Sequence, residues 1–261
     1  MTPRIQIHGG HCAYLGPPPR GALHSTSTAQ LVVGVDAPIV LEVPGLPHIT
    51  TYSTVVPARS PHRIHALGER VLLCYSDPAA DTSARHLDRM RYRSGPFGLG
   101  HPREKQLIAA GTTGPLELEH VLDLACLAPA GTLDHRIARA AGTIRADPAA
   151  PHRAAAAAAA LGMSTSYFLR LFAEHTATSY RRYIQWARIL HAGTGIAHGH
   201  DFTSAATAAG FASPSHFSDV FRAMFGLTPS AVFTALAAEV SSDFPVPARG
   251  LAGPGGGITA E

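Results

Sequence analysis

Arg170 and Asp219 hold equivalent positions in two copies of one pattern, Ser-x-Ser-x-Phe-x-x-x-Phe. The first copy is Ser164, Ser166, Phe168 and Phe172; the second, 49 residues further on, is Ser213, Ser215, Phe217 and Phe221. A planar guanidinium grips guanine or phosphate through paired hydrogen bonds, while a carboxylate accepts from cytosine or repels phosphate. A duplicated supersecondary unit has to carry both. In each copy a glycine, Gly162 or Gly210, precedes the pattern and suits a left-handed exit from a helix. The first serine is then placed to cap the next helix. Phe168, Leu171 and Phe172 recur at helical spacing, as do Phe217, Val220, Phe221 and Met224, so each second helix turns one apolar stripe inward. The unit reads as helix, tight turn, helix, and such a unit lays its second helix in the major groove of double-stranded DNA. The outward positions are the candidate DNA-binding residues: Thr165, Ser166, Leu169, Arg170 and Ala173 in the first copy, and Pro214, Ser215, His216, Ser218, Asp219 and Arg222 in the second.

Between the copies, Arg181 and Arg182 are candidate phosphate contacts, with a solvated or internal ion-pair role as the alternative. From Leu133 to Phe233 there are nine arginines and no lysine, against four aspartates and Glu174. That excess agrees with a phosphate-contacting surface without demanding one. The whole chain of 261 residues carries a formal charge of only +3, and 46% of it is hydrophobic, so a packed globular protein is expected. Cys12, Cys74 and Cys126 are far apart and form no Cys-x-x-Cys pair, which argues against a disulfide framework or a zinc knuckle. No apolar run approaches the ~20 residues of a membrane span, and no signal segment opens the chain. A soluble, cytoplasmic protein with no membrane partner is expected.

The elements that position these residues fall into two halves. Residues 1–80 are β-rich: Val32 to Val43, Ile49 to Val56 and Arg70 to Tyr75 supply β-branched and leucine runs between proline and glycine breaks, which suggests a barrel or sandwich. Residues 81–130 turn helical, with a helix expected over 84–93. Apolar positions from Leu107 to Leu127 have helical spacing, and serve as cover for the barrel, as a dimer contact, or as both. Residues 133–235 read as all-α. Ala154 to Ala160 is a run of alanine, the strongest helix former. Residues 241–261, rich in proline and glycine, are expected to be a disordered tail.

The segment from Gly210 to Phe221, GFASPSHFSDVF, followed by Phe225-Gly226-Leu227-Thr228-Pro229, resembles the C-terminal signature of the AraC/XylS family of transcriptional regulators. Met163 to Phe172, MSTSYFLRLF, is similar to that family's first recognition helix, and Tyr183 and Arg188 fall where the family has a tyrosine and an arginine on a long linking helix. The resemblance implies an α+β fold: a cupin-like N-terminal β-barrel, a helical linker, and an all-α domain of two helix-turn-helix units joined by one long helix. It also implies a non-enzymatic regulator acting on double-stranded DNA, an activator in contact with RNA polymerase, and control by a small-molecule effector or by homodimerisation. The sequence departs from the family at Ala177 and Tyr180, where glycine and proline are usual, at Ala205, where a bulky aliphatic is usual, and at Leu169, a position often polar.

In the N-terminal half, His24 with Gln30, the stretch Pro57 to His62, and His65 resemble the sensor half of such regulators. The expected His-x-His is missing, and His62 and His65, three apart on a strand, would point to opposite faces. No metal or cofactor is therefore expected. His24, His62 and Tyr75 are the candidate effector-pocket residues. The alternatives are a cupin-type metalloenzyme with a helical appendage and a repair methyltransferase, which would need an activated cysteine.

Overall fold

The computed structural model describes residues 3–79, 89–112, 116–125 and 133–233. Ten strands come first: β1 (Arg4–His8), β2 (His11–Gly16), β3 (Gln30–Gly34), β4 (Ile39–Glu42), β5 (Ile49–Thr51), β6 (Ser53–Val56), β7 (Arg63–Ala66), β8 (Val71–Tyr75), β9 (Tyr92–Ser94) and β10 (Phe97–Leu99). They form a seven-stranded antiparallel sheet, in the order β1-β2-β8-β3-β6-β10-β9, and a three-stranded sheet, β5-β4-β7. The run from Ile49 to Val56 breaks at Tyr52, and its two halves enter different sheets.

The large sheet is covered on both faces, which explains why β3 and β8 are buried without interruption. Successive strand residues point to opposite faces. Val71, Leu73 and Tyr75 accordingly join Ile5, Ile7 and Val32 in a core shared with the C-terminal helices. Leu72 and Cys74 join Ala13, Leu15, Leu31 and Val33 against α1 (Glu104–Thr112) and α2 (Leu118–Ala125). The apolar stripe of those two helices (Leu107, Leu118, Val121, Ala125) is buried on the sheet.

The β-region runs further than the sequence suggests. Tyr92–Ser94 and Phe97–Leu99 lie within 81–130, yet they form a hairpin that pairs with β6. Gly95, at φ +55°, makes the turn. With three residues per strand, and arginines at 91 and 93, periodicity gave no signal there, whereas the Gly-Pro dipeptide did. Of the helix expected over 84–93, the part up to residue 88 lies outside the described residues, and Tyr92 and Arg93 are strand. The tail expected from 241 also lies outside them, as does Cys126.

The C-terminal part has seven helices among the described residues: α3 (His135–Ala146), α4 (Ala154–Ala160), α5 (Thr165–Thr176), α6 (Tyr180–Ala197), α7 (Phe202–Ala208), α8 (Pro214–Phe225) and α9 (Pro229–Phe233). No helix there or elsewhere among the described residues is long and apolar enough to cross a membrane.

Candidate DNA interface

The two helix-turn-helix units, α4–α5 and α7–α8, are built by the same local devices. After α4 the chain turns at Gly162 (φ +67°), where Gly162 N donates to Ala159 O at 3.1 Å and Met163 N to Ala158 O at 2.9 Å. After α7 it turns at Gly210 (φ +81°), where Gly210 N donates to Thr207 O and Phe211 N to Ala206 O, both at 3.0 Å. This pair of bonds ends a helix while satisfying its last carbonyls. Ser164 then caps α5 by accepting from Tyr167 N at 3.3 Å, and Ser213 caps α8 by accepting from His216 N at 3.1 Å. Both phenylalanine stripes are buried, with Phe168, Leu171 and Phe172 in one core and Phe217, Val220, Phe221 and Met224 in another.

The 18-residue α6 joins the units and spans about 27 Å at 1.5 Å per residue. Its Tyr183 and Trp186 are fully buried. Arg188 donates from Nε to Pro148 O at 2.9 Å and from Nη2 to Ala150 O at 3.2 Å, so it fastens the α3–α4 connection to α6. At Ala177, where α5 ends, a non-glycine residue takes a left-handed conformation (φ +53°).

Outside these cores, Thr165, Ser166, Leu169 and Arg170 are exposed and Ala173 is half-buried. In the second unit Pro214, Ser215, Asp219 and Arg222 are exposed, while Ser218 and His216 are half-buried. The His216 ring packs edge-on against Phe211 at 5.5 Å. Arg181 is exposed. Arg182 instead reaches the β-region, donating to Ser25 O at 2.5 Å and to Ser27 Oγ at 3.3 Å. Two residues that sequence reasoning passed over join the first unit's surface. The Tyr167 ring is exposed, with the Arg170 guanidinium 5.4 Å from its centroid and that of Arg136, from α3, at 6.0 Å. The i, i+3 spacing of Tyr167 and Arg170 was a readable signal; Arg136, in another helix, left none.

The helical domain is clamped to the β-region. Asp77, 1% exposed, accepts from Arg145 Nη1 at 2.6 Å and from the Tyr183 hydroxyl at 3.0 Å. Trp186 Nε1 donates to Gly10 O at 3.0 Å, and Ala22 N donates to Gly226 O, at the end of α8, at 2.8 Å. Between the large sheet and α6, α8 and α9 lies a cavity of about 780 Å³. Ile5, Ile7 and Leu73 form its sheet wall; Trp186, Phe221 and Phe225 form its helical wall. His24, Gln30 and Tyr75 make its polar edge, whereas His62, expected in the pocket, does not line it and stands behind them against Gln30 and His24. The His24 and His62 rings meet at 4.4 Å, tilted by 51°; Gln30 donates to the Tyr75 hydroxyl at 3.0 Å, and its carbonyl end lies 3.1 Å from His62 Nε2. Burial, then the facing His24, hold His62 down to about 4. His65 points the other way, to Glu42 at 2.8 Å. Among the described residues, no three His, Cys, Asp or Glu side chains gather as a metal set would. Burial pushes the Cys12 thiol up to about 12, the opposite of activation.

A family model described as a helix-turn-helix domain matches residues 157–235. Those residues are an AraC-type helix-turn-helix domain. No protein of curated function matches the sequence. Among solved structures, the chain is similar to ToxT from Vibrio cholerae at 13% identity and a TM-score of 0.58, over 87% of this chain and 99% of that one. It is similar at a TM-score of 0.55, again with 13% identity, to ToxT of strain SCE256 with a bound unsaturated fatty acid, over 88% of this chain and 97% of that one. At such identity the likeness is one of fold, and the shared fold is a cupin-like N-terminal region followed by the helix-turn-helix domain. The AraC-type domain and the paired geometry of its units support a DNA-binding transcriptional regulator.

Proposed function

We propose that this protein is a sequence-specific regulator of transcription, an activator, whose α5 and α8 enter two successive major-groove segments about one DNA turn (~34 Å) apart. The observation that carries this reading is the duplicated turn. Two glycine exits, two serine caps and two buried phenylalanine stripes present unlike outer faces to solvent on either side of a rigid connector. Equal scaffolds with unequal faces suit a monomer on an asymmetric site. Activation, with RNA polymerase as partner, rests on the family resemblance of the signature alone. Electrophoretic mobility shift with duplexes selected from a random pool tests DNA recognition: salt-sensitive binding that prefers the selected sequence is expected. Binding indistinguishable from random competitor would end the proposal. A reporter carrying the selected site upstream of a weak promoter tests the sign, with higher expression expected.

The β-region supplies control through a small apolar effector held in the cavity. Aromatic contacts run from its lining to the outer face of the second unit: Tyr75 to Phe225 at 5.6 Å, Phe225 to Phe221 at 4.6 Å, Phe221 to Phe217 at 5.9 Å and Phe217 to Phe211 at 5.1 Å, with His216 on Phe211. An apolar body with a few polar groups at one edge is what small-molecule sites generally show. The ToxT structure with bound unsaturated fatty acid makes that ligand class the first to try. Thermal shift with such acids should raise the melting temperature of the wild type and not of a variant whose cavity is filled by Leu73→Trp.

A further inference from the structure

We propose that Tyr167 is the positioning residue for Arg170, and that Arg136 and Asp134 brace it from outside the helix-turn-helix. This rests on the DNA-binding reading above. An exposed arginine on a recognition helix has a flexible stem, and ordering it on a base edge costs side-chain entropy. Among the described residues no carboxylate pairs with Arg170, so the donors of its guanidinium are free for a ligand. What restrains the side chain is the Tyr167 ring, 5.4 Å away and one helical turn back on the same face. The ring is held in turn. Asp134 caps α3 by accepting from Arg136 N at 2.8 Å, and its two carboxylate oxygens take Arg136 Nε at 3.0 Å and Nη2 at 2.6 Å. That doubly bonded guanidinium lies over Tyr167 at 6.0 Å. The sequence Asp134, Arg136, Tyr167, Arg170 thus runs from a helix cap to the group that meets DNA. Asp134 neutralises Arg136, which leaves Arg170 as the cation of this cluster directed at the nucleic acid. The second unit has no counterpart: His216 holds the place of Tyr167, and Asp219 that of Arg170.

The test is a double-mutant cycle on the duplex selected by the wild type, read by mobility shift. Tyr167→Ala should weaken binding about three- to fivefold, the scale of an exposed cation–π contact. Tyr167→Phe, which keeps the ring, should stay within about twofold of wild type. Arg136→Met should weaken binding in the same sense as Tyr167→Ala. In an Arg170→Ala background both Tyr167→Ala and Arg136→Met should have no further effect on the preference for the selected over non-specific duplex, and Tyr167→Ala, which changes no charge, should leave binding to non-specific duplex unchanged. Loss on Tyr167→Phe equal to that on Tyr167→Ala would assign the effect to the hydroxyl and overturn the proposal. So would a full Tyr167→Ala and Arg136→Met loss without Arg170. Failure of the wild type itself to prefer any duplex would overturn the functional reading instead, and this one with it.

Discussion

At the scale of single residues, the proposed reading gives attraction to α5 and rejection to α8. Arg170 is exposed and braced, and its fork matches guanine or a phosphate. Arg170→Ala should therefore cost ~1–3 kcal/mol of specific binding and relax the preference at one base pair, as competition between single-base variants of the selected duplex would read. Asp219 occupies the same place on α8, exposed, where a carboxylate approaches phosphates at a cost. Such a charge lowers affinity for every wrong duplex as well as shaping contact with the right one. Asp219→Asn should tighten binding to random duplex and narrow the ratio of specific to non-specific affinity; an unchanged ratio would remove Asp219 from the reading of sequence. Arg182 belongs to a different group. Its bonds to Ser25 and Ser27 make it part of the clamp between the two regions, and no spacing in the sequence foretold it, because the partners are more than 150 residues away.

At the scale of elements, the turns carry the specificity of the fold, and two glycines that look alike in sequence differ in what surrounds them. A Cβ on Gly162 would meet nothing within 4 Å, so Gly162→Ala incurs only the left-handed backbone cost of roughly 1–2 kcal/mol. A Cβ on Gly210 would lie 2.8 Å from the Ala149 backbone, so Gly210→Ala adds a collision to the same cost. Thermal or urea unfolding should rank Gly210→Ala well below Gly162→Ala in stability. Ala177 is the converse case. It holds φ +53° where the resembled family usually has glycine, so Ala177→Gly should stabilise the protein by about 1 kcal/mol and raise its melting temperature. These elements were the legible part of the chain. Caps, exits and apolar stripes lie within a dozen residues of one another, and local chemistry fixes them. The β9–β10 hairpin was not legible by period, since three residues are too few to alternate; nor was the break at Tyr52, which only the partition between two sheets explains. The clamp of Asp77 on Arg145 and Tyr183 joins residues of three distant segments, so nothing local announces it.

At the scale of the whole molecule, the strap from Arg20 to Thr26 connects the polar edge of the cavity to the end of α8. His24 pairs with His62 through backbone bonds of 3.1 and 2.9 Å and a tilted ring contact, while Ala22, two residues away, holds Gly226. The strap therefore depends on two facing imidazoles staying uncharged. His62 is fully buried, and its burial together with the facing His24 lowers it from 6.5 to about 4. Unfolded, the same ring takes its proton near 6.5, well before the folded one does. Its contribution to stability is thus complete above about pH 6.5 and is lost as pH falls toward 4, by an amount on the order of 2–3 kcal/mol at 1.36 kcal/mol per pH unit. Other groups titrate across the same range, so the contrast with His62→Gln isolates this one. The glutamine variant should be less stable than wild type at pH 7.5, and the gap should shrink by about 2 kcal/mol or more at pH 4.5 in urea unfolding. Parallel losses in the two proteins would place the acid sensitivity elsewhere. If the gap closes as expected, the fluorescence of Trp186, the sole tryptophan and a wall of the cavity, should change in the wild type over the same pH interval. That change would mark the cavity opening as the strap lets go of α8.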